Sequence, residues 1–94
     1  TPSDVRIVEA IARFRAGGYD ERIGFTVYDA ARFLEPLRAL AQREVELLSE
    51  KLVGRIEPDR AAELIEVGMD PLADLIAAMH SKLVAAELER RRSA

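Results

Sequence analysis

The chain contains no cysteine and one histidine among its 94 residues. Disulfide scaffolds, thiol catalysis, Cys-based zinc or iron–sulfur sites and multi-histidine metal sites are therefore excluded. Tryptophan and asparagine are absent as well, and five aromatics make up only 5% of the chain. No apolar run approaches the ~20 residues needed to cross a bilayer, and no signal peptide is visible. A basic excess is missing too: the formal net charge is −3. Residues 1–25 carry four acids and four bases, 26–54 five and four, 55–68 four and two, and 69–94 four and four. No basic stripe marks a surface for phosphate backbones. The Gly-rich phosphate loops, the H-E-x-x-H helix and the G-x-S-x-G elbow do not occur.

Hydrophobic residues are 49% and charged residues 33% of the chain, a balance that suits one folded domain rather than a disordered segment. Twelve arginines against two lysines, with 15 alanines, fit a GC-rich genome. The chain begins at Thr1 and is expected to be cut from something longer.

The only strong periodicity is helical, and Gly and Pro fall between the periodic segments. A first helix is expected from Asp4 to Ala16, with Ser3 as N-cap and Gly17-Gly18 as its stop. A second, long helix is expected from Val27 to Val53. Thr26 and Asp29 form its capping box, Phe25 stands before the cap, and Gly54 ends it. At 1.5 Å per residue its 28 residues, counted from Thr26, would span about 42 Å, with a kink or break near Phe33–Glu35 caused by Pro36. Leu34, Leu37, Ala41, Val45, Leu48 and Leu52 form one apolar stripe on it. Phe33, Leu40 and Leu47, seven apart, form a second, and one stripe is enough to bury a helix against its own domain. The second stripe predicts a partner, and a homodimer through Phe33, Leu40 and Leu47 is the expectation.

A short third helix is expected from Pro58 to Val67, with Gly68 as its stop. A fourth, capped by Asp70 and started by Pro71, is expected to run to Arg92. Leu72, Leu75, Ile76, Met79 and Leu83 make its main stripe, and Ala73, Ala77, Val84 and Leu88 a second flank. The predicted fold is thus all-α: one domain over residues 1–94, four helices in a helical bundle, one of them a long dimerisation helix.

Little in this pattern carries catalysis, and no enzyme is expected. His80 has Ile76 and Val84 as its i±4 neighbours, so it lacks both a metal partner and an orienting acid. Ser81 points about 100° away from it on a helix, which rules out a nucleophile–base pair. Asp70 and Asp74 read as cap and first-turn charges. Arg90, Arg91 and Arg92 compensate a helix dipole beside Glu87 and Glu89. No cofactor and no metal are expected.

Residues 61–82 offer a helix-turn-helix as one alternative, with Gly68 in the turn. Its recognition helix would enter the groove with Asp70 and Asp74, which repel phosphates. A helical dimerisation or adaptor module without any ligand is another. All five aromatics, Phe14, Tyr19, Phe25, Tyr28 and Phe33, fall within twenty residues. They are either the core of one helix junction or the lining of a pocket for a small apolar or aromatic effector.

Residues 4–19, from Asp4-Val5-Arg6 to Gly17-Gly18-Tyr19, resemble a segment of MerR-type transcriptional regulators. The stretch from Ile23-Gly24-Phe25 through Arg43-Glu44-Val45-Glu46-Leu47-Leu48 resembles the long helix that follows their DNA-binding part. Gly68–Leu88, with His80-Ser81-Lys82-Leu83, is similar to C-terminal sensory portions of some actinobacterial members. The winged helix-turn-helix of that family, with its tyrosine-rich opening and basic wing, has no counterpart in these residues. The resemblance implies the dimerisation and small-molecule-sensing domain of a cytoplasmic bacterial regulator. DNA would be reached only through a missing N-terminal segment, and no membrane would be involved.

Overall fold

A computed structural model describes all residues, 1–94. The protein is all-α. Four helices, α1 (Pro2–Ala16), α2 (Val27–Ala31), α3 (Leu34–Leu52) and α4 (Pro58–Ser93), are joined by turns, with one 3-10 turn at Glu21–Ile23. Two units can be distinguished, Thr1–Glu44 and Val45–Ala94, and the division falls within α3.

In the first unit, α1 starts earlier than Ser3 predicts. Thr1 is the N-cap: its hydroxyl accepts from the Asp4 N–H, and Asp4 reaches back to the Thr1 amino group. Pro2 then takes the first helical turn, where a missing N–H leaves nothing unpaired. The helix ends at Gly17 as expected, and Gly18 turns the chain with φ 110°, a conformation that side chains with a Cβ disfavour. Asp20 caps the 3-10 turn by accepting from the Arg22 N–H at 2.9 Å.

The Thr26–Asp29 capping box forms as expected, with Asp29 accepting from the Thr26 N–H at 2.8 Å. The long helix behind it does not run unbroken. α2 closes after Ala31 through tight i→i−3 bonds, Arg32 N–H to Asp29 C=O at 3.2 Å and Phe33 N–H to Ala30 C=O at 3.1 Å. The cause is Pro36. Its ring would strike the carbonyl of Arg32, four residues back, and it has no N–H to offer that oxygen. Restarting at Leu34 places Pro36 in the first turn of α3, where no N–H is required.

In the second unit, α3 ends at Leu52, and Gly54 turns the chain with φ 76°. Glu57 then caps α4 by accepting from the Arg60 N–H at 3.1 Å. Here the structure corrects the expected boundary at Gly68. The segments 58–67 and 70–92 are one helix of 36 residues, about 54 Å long, that passes through Gly68 and Pro71. An interruption would orphan up to four C=O and four N–H groups, against the one carbonyl that Pro71 leaves without a partner. Alanine-rich turns and the pairs Arg60–Glu63, Glu87–Arg90, Glu87–Arg91 and Glu89–Arg92 favour continuity. Four helices are present, as expected, but by a different division: one expected helix is split and two are fused.

The packed interior expected of a bundle is not formed within either unit. No helix of either unit packs along its length against another of the same unit. Ala61, 8% exposed, is the one buried hydrophobic residue. No helix is long and apolar enough to cross a membrane.

Candidate functional site

The aromatic residues separate into two groups. Phe14 at the end of α1, Tyr19 after the glycine turn and Phe25 after the 3-10 turn come together. Phe14 and Phe25 stack at 5.6 Å with an interplanar angle of 8°, and Tyr19 meets both edge-on, at 4.9 and 5.9 Å. Backbone bonds bring them there: the Tyr19 N–H donates to Phe14 C=O and the Phe25 N–H to Asp20 C=O, each at 3.0 Å. Tyr28 stands apart, 81% exposed on α2, and Phe33 lies in the turn between α2 and α3. A ligand sandwiched among Tyr19, Phe25 and Tyr28 therefore has no preformed slot, because Tyr28 does not join the other rings.

Ion pairs brace the loop around the three rings. Arg15 on α1 pairs with Glu21 at 2.7 Å, and Arg22 binds both carboxylate oxygens of Asp20. The Asp20 side chain is only 14% exposed. The Arg22 guanidinium and then its backbone N–H hold the Asp20 carboxyl below the ordinary carboxylate range. Arg15 does the same for Glu21. This cap at Asp20 is absent from the sequence expectations. Its signal was present, since an Asp two residues before an Arg N–H in a glycine-flanked loop is an Asx-turn pattern.

Beside the rings lies an open cleft of about 320 Å³, lined by Ile23, Gly24, Phe25, Asp29, Arg32 and Phe33. Arg32 is in no ion pair. Asp29 is occupied by the Thr26 cap. No cluster of three or more His, Asp or Glu side chains is arranged to hold a metal ion. His80 lies on the exposed surface of α4 without a hydrogen-bonded carboxylate.

The expected dimer residues are placed as follows. Leu40 and Leu47 lie two turns apart on α3; Leu40 is half-buried and Leu47 is 53% exposed. Phe33 precedes the helix and lines the cleft. On α4 the residues of the expected main stripe are uncovered as well: Leu75 and Met79 are exposed, Leu83 is 68% exposed, and Leu72 and Ile76 are half-buried. Since α4 is continuous, residues 61–82 contain no turn and form no helix-turn-helix in this structure.

No family model, curated protein or solved structure matches the chain.

Proposed function

We propose that this chain is the dimerisation part of a MerR-type transcriptional regulator. Its task is to hold two copies, and with them two DNA-reading parts located elsewhere in the protein, at a fixed spacing. One observation carries this reading: large apolar side chains on α3 and α4, among them Leu37, Val45, Leu47, Leu75, Met79 and Leu83, stand exposed. Exposed apolar side chains in such number on two helices fit a protein–protein interface. The resemblance of residues 4–19 and 23–48 to the regulators supports the class, and the acidic, evenly spread charge fits a part that does not itself touch DNA. The module binds and positions rather than catalyses, and it works in the cytoplasm. The apolar side chains that each unit leaves exposed are covered between copies.

Sedimentation equilibrium tests this directly. A dimer is expected at roughly tens of micromolar protein, a range in which mass action favours a weak complex. A folded monomer there overturns the proposal.

A second reading, sensing of a small aromatic acid, is favoured by the cleft. Two phenyl rings and an unpaired guanidinium line it, a combination suited to a ring bearing a carboxylate. A ligand at a hundredfold excess over its dissociation constant would stabilise the fold by about 2.7 kcal/mol. A thermal-shift screen of aromatic carboxylates that Phe33→Ala abolishes would support sensing. A screen without hits leaves the adaptor role alone.

A further inference from the structure

The geometry points to a closing motion in the second unit: about the turn 53–57, the end of α3 folds onto the start of α4 as an antiparallel hairpin. This goes beyond the dimer reading, because it assigns what covers one face of α4 inside a single chain.

Burial already favours those two sides. Between Val45 and Gly68, the residues that are not exposed are Leu48, Leu52, Ile56, Ala61, Leu64 and Gly68. The pair on α3 is four apart, and the three on α4 follow at steps of three and four, so each set lies on one side of its helix. The cover is greatest beside the turn, at Ala61. Further from the turn, Val45 and Ile65 border the same two sides and are exposed.

The connection suits closure. α3 ends at Leu52 and α4 begins at Pro58. Five residues are the length of a loop that joins two antiparallel neighbouring helices. The turn is anchored on α3: the Arg55 and Ile56 N–H groups both donate to the Leu52 C=O at 3.2 Å, and Gly54 turns the chain with φ 76°.

The register follows from the turn. Leu52 comes level with Ala61, Leu48 with Ile65 and Val45 with Gly68. Steps of four and three leading back along α3 are matched by steps of four and three leading forward along α4. Sizes match as well. Leu52 meets an alanine, and Val45 meets a glycine with nothing within 4 Å of where its Cβ would stand. Leu48 and Ile65 fill the layer between. Large residues set against small ones let facing helices interdigitate. No charged residue enters the three layers. Closure covers Val45 and Ile65 within the chain and leaves Leu47, Leu75, Met79 and Leu83 to the second copy.

Native cysteine is absent, so introduced spin labels are clean. One chain carries Glu50→Cys with Glu63→Cys and another Glu46→Cys with Val67→Cys. Each is diluted into excess unlabelled chain, so that dipolar spectroscopy reads only pairs within one chain. Both pairs are level in the closed register and lie outside its three layers. Each member of the second pair sits about 6 Å further from the turn than its counterpart in the first. Closed helices run side by side at about 8–10 Å, so the second separation should be no larger than the first. Splayed helices make it larger. Ile65→Glu in the second labelled chain should lengthen the separation. A second separation clearly larger than the first, or one that Ile65→Glu leaves unchanged, overturns the closure. Sedimentation of the same samples keeps the two readings apart. Dimers with splayed hairpins overturn the closure alone, and monomers with closed hairpins overturn the proposed function alone.

Discussion

Replacing Pro71 by alanine should stabilise this protein by about 3 kcal/mol, the difference between proline and alanine inside a helix. The size of the effect follows from where the residue sits. α4 runs from Pro58 to Ser93, so Pro71 is the fourteenth of its 36 residues, far from either end. The carbonyl of Val67 faces a ring instead of an N–H. An alanine there restores that hydrogen bond, removes the clash and adds the best helix former. Gly68→Ala should contribute about 1 kcal/mol more, because Gly68 has helical φ and nothing within 4 Å of where its Cβ would stand. Asp70 supplies the control. Inside a continuous helix its carboxylate caps nothing, so Asp70→Ala should be neutral or stabilising by about 0.5 kcal/mol. If a helix began at Asp70 instead, that substitution would remove an N-cap and cost about 1 kcal/mol, and Pro71→Ala, at N1, would change little. Urea unfolding followed by far-ultraviolet circular dichroism, at one fixed protein concentration because assembly contributes, separates the two cases. A neutral Pro71→Ala together with a destabilising Asp70→Ala would refute the continuity of α4.

The aromatic residues predict a contrast within the first unit. Phe25→Ala breaks a stacked pair and an edge-on pair, which together contribute about 2 kcal/mol, whereas exposed Tyr28→Ala should stay within about 0.5 kcal/mol. Near-ultraviolet circular dichroism should lose the Phe14–Tyr19–Phe25 signal in the first variant and keep it in the second. A large loss on Tyr28→Ala would contradict the separation of the rings. Acid should act on the same loop and on the start of α1. Asp4, Asp20 and Glu21 have carboxyls held below their ordinary range by Thr1, Arg22 and Arg15 respectively. Depressed carboxyls stabilise the fold fully above the unfolded value near pH 4, and the contribution fades as pH falls through the lower folded values. The near-ultraviolet signal should thus be flat above about pH 5 and decline below it, more weakly in Asp20→Asn. A decline centred near neutral pH would point to a different group.

The two prolines show what is legible in a sequence and what is not. Pro36 has only the short α2 before it, and the strong Thr26–Asp29 box fixes where α2 begins. A break at Arg32–Phe33 is the inexpensive solution there, and the residues announce it. Pro71 has thirteen helical residues before it, a cap at Glu57 and alanine-rich turns after it. The local pattern Gly-x-Asp-Pro is the same whether a helix stops and restarts or continues with a kink. Which one forms depends on how many backbone groups a break would orphan, a sum over the whole segment that no four-residue motif contains. Ser3 failed as a cap for a related reason: Thr1 and Asp4 offer a reciprocal pair, and Ser3 with Arg6 does not. Phe14, Tyr19 and Phe25 were gathered by their neighbourhood in sequence. Tyr28 leaves the group: on α2 it is 81% exposed and pairs with none of the three rings.

The three clustered rings and the uncovered helix faces ask different things of the chain. Phe14, Tyr19 and Phe25 satisfy one another, and the ion pairs of Arg15 and Arg22 close the loop around them, so that site stabilises its own turn with or without a ligand. The apolar side chains further along α4 have no such internal solution. Met69, Met79 and Leu83 stand exposed on α4. Fully burying one such side chain is worth about 1.5–3 kcal/mol, so together they are a large unused driving force. An acidic start and a basic end on one helix match its dipole. Function in this chain is therefore sought first along α4, where exposed apolar side chains and a charge polarity between the two ends fall on one helix.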